Sequence, residues 1–388
     1  MDISLKKIIS GGLESISNIF SSKKETESVI GIDIGTSAIK VVQLRKKGGK
    51  AVLETYGSLA LGPYGNVEVG QITNLSSEDM ARALVDVLKE SNTTTKTGAL
   101  AIPSLASLIF TISLPAQITE AELPTVVPTE ARKYIPVPIS EVTLDWSLIP
   151  KEIESEEAVV APSMVPQTAP VAKKELKTEV LVVAIHNDTL SRYREVLAKT
   201  ELKSDSFEME IFSTIRSTFA RDVAPVLLMD FGASKTKLSI VEAGIVRVFH
   251  VVNRGSFDMT KNIATSLNVP FAEAEQLKRT VGLDARSNAQ VADIVRLSTD
   301  YIFSDTNSVV LAYEKKYNKN ISKVILTGGG SMLKGLLERA TVNFHSEVVY
   351  GDPFSKTEAP AFLEPVLKTS GPEFACAVGL ALRELSSS

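Results

Sequence analysis

A short pattern that occurs twice constrains this chain more than any other feature. Residues 31–44, GIDIGTSAIKVVQL, and residues 228–241, LMDFGASKTKLSIV, both run apolar, Asp, apolar, Gly. Asp33 and Asp230, Gly35 and Gly232, Ser37 and Ser234, and Lys40 and Lys237 fall at matching offsets. Self-similarity at this separation predicts two similar halves, and 388 residues leave room for them, since domains typically run about 100–200 residues.

Each copy reads as the start of a β-meander. In the first, Val29 to Ile34 is a buried strand, Gly35 to Ser37 a turn, and Ile39 to Leu44 a second strand, with Gly48-Gly49 turning into a third around Ala51 to Leu61. In the second, the strands are Val226 to Phe231, Lys237 to Val241 and Ile245 to Val252. A helical stretch follows each meander, Ser76 to Glu90 and then Phe257 to Leu267. The first lobe core is expected over 29–97 and a small inserted subdomain, rich in proline, over 98–190. Residues 191–388 supply the remainder of the first lobe and the second lobe. Within the insert, 151–178 mixes Glu, Ala, Pro and Lys without an apolar period and reads as a disordered loop. Order resumes at Glu179 to Ile185, a run suited to a buried strand.

The N-terminal extension, 1–28, places Ile8, Ile9, Leu13, Ile16, Ile19 and Phe20 at helical spacing, with lysines near its ends. It reads either as an amphipathic surface for a membrane or partner or as a leader packing on its own domain, and Gly11-Gly12 weakens the helix. It lacks the apolar core and cleavage site of a signal peptide, and no apolar run reaches the ~18 residues of a transmembrane helix, so a cytoplasmic protein is expected. A net charge of −4 with scattered lysines excludes a broad nucleic-acid surface, which needs clustered cations. One cysteine and three histidines exclude an internal disulfide and a Cys/His metal cluster.

Three glycine-marked turns carry the chemistry. A strand ending in Asp33, followed by Gly35, Thr36 and Ser37, brings a carboxylate, an unhindered backbone and hydroxyls together, which suits a metal-bound phosphate. The second copy offers Asp230, Gly232 and Ser234, and two facing hairpins can grip a triphosphate from both sides. No GxxxxGK[ST] or GxGxxG is present. The third turn, Thr327-Gly328-Gly329-Gly330, follows a short strand and precedes a predicted helix, a flat surface for a base or sugar. Glu275 and Lys278 are three apart and share a helix face.

Two DxG hairpins, an AExxK helix (Ala274 to Lys278) and a TGGG turn, in that order, resemble the signature of the actin/heat-shock/sugar-kinase superfamily. Within it the chain is similar to the PilM family, cytoplasmic actin-like proteins of type IV pilus assembly, from about Val29 to Glu384. The likeness within the superfamily rests on GIDIGTSAIKVVQL, on Glu130 to Pro136 with Asp145-Trp146, on Glu208 to Phe212, and on Phe374 to Arg383. The chain departs from the family at Arg254-Gly255, where a glycine pair is usual, and in the longer biased stretch 151–178.

The resemblance implies an α/β, two-lobed actin-like ATPase fold with duplicated ribonuclease-H-like cores and an inserted small subdomain. It implies ATP and Mg²⁺ as ligands. Asp33 and Asp230 would serve the metal; Gly35, Thr36, Ser37, Lys40, Gly232 and Ser234 the phosphates; Glu275 and Lys278 the nucleoside. Gly328, Gly329 and Gly330 would floor the pocket, and Glu210 would orient water in a slow hydrolysis. Helices around Phe207 to Ala220 and Phe374 to Leu385 would cross between lobes. The implied role is an ATP-binding scaffold at the inner face of the membrane, binding the cytoplasmic N-terminus of a PilN-like protein, with self-association a further option. An FtsA-like filament protein of cell division and a small-molecule kinase of the same superfamily stand as alternatives.

Overall fold

The computed structural model describes residues 28–149, 177–220 and 222–387. The extension at 1–28 and the loop at 151–178 lie outside these, apart from Ser28, Lys177 and Thr178, which fall within strands. The first repeat folds into three antiparallel strands, β1 (Ser28–Ile34), β2 (Ala38–Lys47) and β3 (Lys50–Ala60). β-branched residues supply most of the buried positions of β1 and β2, and Ile30, Ile32, Ile39, Val41 and Val42 are wholly buried, as strands covered on both faces require. Helix α1 (Ser77–Glu90) starts at Ser76, whose hydroxyl accepts the Asp79 amide at 3.1 Å, and it buries Leu84 and Val87 on β2 and β3. Strand β4 (Thr97–Ile102) then lies parallel to β1.

Residues 105–188 form a compact unit of their own. It comprises β5 (Ser107–Pro115), α2 (Leu123–Ala131), β6 (Val142–Leu148) and β7 (Lys177–His186), in the sheet order β5-β7-β6. Its core gathers Ile112, Leu114, Val180, Val182 and Ala184 with Val127 of α2. The separate unit is shorter than the 98–190 expected, because the apolar run ending at Ile102 is paired into the first sheet through β1.

In the larger unit, which among the described residues takes in 28–104 and 189–387, the chain continues through α3 (Asn187–Ala198), β8 (Lys203–Met209) and α4 (Glu210–Thr218). The helix expected over Phe207 to Ala220 therefore begins later. Phe207, Glu208 and Met209 pair with Leu100, Ala101 and Ile102, so these residues extend the sheet and the helix starts at Glu210. The second repeat gives β9 (Val226–Phe231), β10 (Thr236–Glu242) and β11 (Ile245–Val252), then α5 (Ser256–Leu267), α6 (Phe271–Val281) and α7 (Ala289–Tyr317). It ends with β12 (Lys323–Thr327), α8 (Leu336–Asn343), β13 (Glu347–Tyr350), α9 (Glu364–Ser370) and α10 (Ala375–Ser387).

The duplication is explicit in the sheets. One runs β3-β2-β1-β4-β8, the other β11-β10-β9-β12-β13, each an antiparallel meander extended by two parallel strands. Met229, Phe231, Leu238 and Ile240 of the second sheet pack with Val295, Ile302 and Phe303 of α7. Helix α10 packs on β1, β2 and α4. The approach is backbone to backbone: a Cβ on Gly379 would lie 1.8 Å from the Ser213 carbonyl oxygen, and one on Gly31 1.9 Å from that of Ala377.

Candidate functional site

Both repeats carry aspartate as the penultimate residue of their first strand and turn directly after it. The Gly35 amide donates to the Ala38 carbonyl at 3.0 Å, and the Gly232 amide to the Lys235 carbonyl at 3.0 Å. These turns set Asp33 opposite Lys40 and Asp230 opposite Lys237 across their hairpins, so each aspartate and lysine share a face.

The carbonyls of the turns are occupied. Thr36 accepts from the Thr73 amide at 2.8 Å and Ser37 from that of Leu61 at 2.8 Å, while Gly232 and Ala233 accept from Ser256 and Phe257, each at 3.0 Å. Among the described residues, the Thr36, Ser37, Ala233 and Ser234 amides make no backbone hydrogen bond. Amides left over at two glycine turns beside lysines are the chemistry of an anion cradle.

The two hairpins differ in their ion pairs. Lys40 Nζ stands 3.8 Å from Asp33 Oδ2, a loose contact. Lys237 Nζ lies 2.8 Å from Asp230 Oδ2 and 2.8 Å from Glu210 Oε2. Glu210 is the first residue of α4, and its other oxygen accepts the Ser104 amide at 2.8 Å. Burial opposes the charge on Lys237, but Asp230 and Glu210 together hold its pKa well above the usual lysine value. Burial raises the pKa of Asp33; Lys40 opposes the rise, and repulsion from Glu210 adds to it. Both hairpins and Glu210 thus act on one another electrostatically.

Thr327 pairs with Asp230 across β12 and β9, which sets the TGGG turn against the second aspartate. Gly328 has φ +80°, and a Cβ there would sit 2.2 Å from Asp230 Oδ1, so both backbone and space demand glycine. The expected helix does not follow directly. A single 3₁₀ turn, Gly329–Met332, comes first, and α8 starts at Leu336, so α8 does not offer its N-terminus to the turn.

Glu275 and Lys278 of α6 do share a face, and both are buried. Lys278 Nζ pairs with Glu275 Oε2 at 2.7 Å, Thr260 donates to the same oxygen at 2.6 Å, and Arg279 Nε meets Oε1 at 2.7 Å. Burial works against the charge on Glu275, yet these partners, Lys278 foremost, carry its carboxyl below the usual range. Gly70, in the segment after β3, lies so close that a Cβ there would be 3.1 Å from Glu275 Cδ. Arg254, at the departure from the glycine pair, lies over the Tyr301 ring at 5.4 Å.

Three side chains at the site carried no role in the sequence reading. Lys237 was visible as a matched offset, but not as the partner of two carboxylates. Tyr193 of α3 is buried within the fields of Glu210 and Asp33, and burial foremost pushes its hydroxyl pKa up. Glu373 lies beside Gly329, 3.9 Å from where a Cβ there would sit, and burial raises its pKa against the pull of Lys40 and Arg279. Nothing local in the sequence marks either residue.

The arrangement fits a polyphosphate better than a metal cage. Among the described residues, no three carboxylate, imidazole or thiolate groups converge to chelate an ion. Asp230, expected as a metal carboxylate, meets the Lys237 ammonium through Oδ2.

Comparison with known proteins agrees with this architecture. Cell division protein FtsA of Neisseria meningitidis serogroup B is 24% identical over 384 residues, covering 90% of this chain and 88% of that one. FtsA of Pseudomonas aeruginosa is 22% identical over 367 residues, covering 86% and 85%. The solved PilM-PilN type IV pilus biogenesis complex contains a chain that superposes with a TM-score of 0.74 at 24% identity, over 92% of this chain and 98% of that one. Ethanolamine utilization protein EutJ from Carboxydothermus hydrogenoformans superposes with a TM-score of 0.51 at 14% identity, over 93% and 91%. The fold is the mixed α/β, actin-like ATPase fold that the duplicated sheets predict. The family described as type IV pilus assembly protein PilM matches residues 31–163 and 166–385, both repeats and the unit between them, and the chain belongs to that family.

Proposed function

We propose that the protein is an ATP-binding scaffold of type IV pilus assembly whose nucleotide state sets its affinity for the cytoplasmic N-terminus of a PilN-like inner-membrane protein. The observation that supports nucleotide binding is the pairing of two glycine turns, with their unengaged amides, around Lys237, Asp230 and Glu210. The amides of Thr36, Ser37 and Ser234 and the ammonium groups of Lys40 and Lys237 would hold phosphates. Gly328, Gly329 and Gly330 would lie under the nucleoside, with Glu275 and Lys278 fixing the wall beside it. Bound ATP would supply the negative charge that this cradle neutralises and a link between the two halves of the larger unit.

Hydrolysis is secondary in this reading: Lys237 and the Ser104 amide each take one lone pair of Glu210, and those left over would orient water. The partner is assigned by likeness to the chain solved with PilN. Such a partner would recruit the protein to the inner face of the membrane; among the described residues no helix is long and apolar enough to cross one.

Two titrations test the reading. ATP is titrated by calorimetry into wild type and Asp230→Ala; wild type binds, and the variant, lacking the carboxylate that holds Lys237, does not. A peptide matching the partner's cytoplasmic N-terminus is then titrated into ATP-loaded and nucleotide-free protein, and ATP with and without peptide. Linkage requires the same factor from both sides. Equal peptide affinity in the two states would reduce ATP to a structural ligand.

A further inference from the structure

Asp33, Glu210 and Asp230 put three carboxylates at the phosphate end of the site, where a triphosphate would add further negative charge. Some cation has to stand among them. Lys237 does so by covalent attachment, rising from β10 on the face it shares with Asp230 and reaching across to the first residue of α4. An ammonium has three donors. Two contacts at 2.8 Å account for two of them, and a side chain 16% exposed leaves room for the third to meet a ligand oxygen. The equivalent lysine of the first hairpin does not do this, standing 3.8 Å from one carboxylate.

A divalent ion would need oxygen ligands at about 2.1 Å. It cannot take Asp230 Oδ2 and Glu210 Oε2 while Lys237 holds them, and displacing the lysine breaks two charge-assisted hydrogen bonds. The absence of a three-ligand cluster among the described residues agrees.

Building on the nucleotide reading above, we propose that Lys237 is a tethered cation that stands in for a protein-bound divalent ion between Asp230 and Glu210. The chain therefore holds a nucleoside triphosphate with little dependence on free magnesium. Removing the ammonium opens the position to a metal and makes binding metal-dependent.

The test uses the full chain, with ATP and Mn²⁺ as probes. Calorimetry gives ATP affinity in magnesium and in EDTA for wild type, Lys237→Met and Lys237→Arg, and electron paramagnetic resonance follows Mn²⁺ uptake by the nucleotide-free proteins. Wild type and Lys237→Arg should lose less than about fivefold in EDTA, and Lys237→Met at least about tenfold, the worth of one charge-assisted hydrogen bond. Lys237→Met should also gain a Mn²⁺ site that a second change, Asp230→Asn, removes. Should Lys237→Met fail to fold, wild type alone decides: tight Mn²⁺ uptake or a loss of tenfold or more in EDTA overturns the proposal. An equal loss in wild type and Lys237→Met overturns it too, while leaving the nucleotide reading standing. No ATP binding by wild type in magnesium refutes both.

Discussion

Replacing Glu208 with alanine should be among the costliest single changes in the larger unit. The carboxylate is wholly buried at the end of β8. Arg216 of α4 grips it with two bonds of 2.6 Å, Ser213 donates at 2.6 Å, and Arg383 of α10 lies 3.8 Å away. Removing it leaves two guanidinium groups without their buried counter-charge, and breaking such a pair from one side costs about 3–5 kcal/mol. With about 2 kcal/mol per kelvin of unfolding entropy per thousand residues, a unit of this size shifts by roughly 2 °C per kcal/mol. Glu208→Ala should therefore lower the melting temperature of that unit by about 5–10 °C. Glu208→Gln, which keeps the shape and some bonds, should cost about 1–3 kcal/mol.

Thermal and urea unfolding followed by circular dichroism measure both, and a cycle with Arg216→Met separates pair from place. In a Glu208→Met background the arginine has lost its reason to be there, so Arg216→Met should then cost little. A Glu208→Ala protein within about 1 kcal/mol of wild type, with unchanged denaturant slope, would refute the view that this ion cluster clamps α4 to α10.

Other consequences are simpler to check. Glu210→Gln should leave ATP affinity within about threefold and lower any hydrolysis by about a hundredfold or more, because a water-orienting group acts in the transition state; equal turnover makes Glu210 structural. Folding raises the pKa of Asp33, so the native state holds that proton more tightly than the unfolded chain and is penalised once both are ionised. Asp33→Asn should accordingly raise the melting temperature near neutral pH, and the advantage should shrink as pH falls through the raised value toward 3.8; a constant difference across pH would contradict the assignment. Gly328→Ala forces a side chain into positive φ and against Asp230, and should cost about 2–4 kcal/mol and abolish ATP binding, measured by unfolding and calorimetry.

The two sheets were legible because apolar, Asp, apolar, Gly marks a strand end and a turn at once, and the β-branched runs around it leave little choice of partner. The matched lysines were legible as positions, since equal offsets imply equal places in a hairpin. Their partners were not: Lys237 meets Glu210 from a helix remote in sequence, and no spacing encodes that. The helix over Phe207 to Ala220 was implied by resemblance alone, and its first three residues pair with β4, a long-range contact that local sequence does not encode. Spacing also gave the shared face of Glu275 and Lys278, but not their burial behind Thr260 and Arg279, which depends on how α5 and α6 pack.

The contact of α10 with β1 and α4 has a mechanical consequence. At Gly31 and Gly379 there is no side chain to act as a bearing surface, so sliding by even one residue would drive a Cβ into a carbonyl oxygen. Translation along that seam is blocked. The seam is a ratchet tooth: it fixes the register of α10 against β1 and α4.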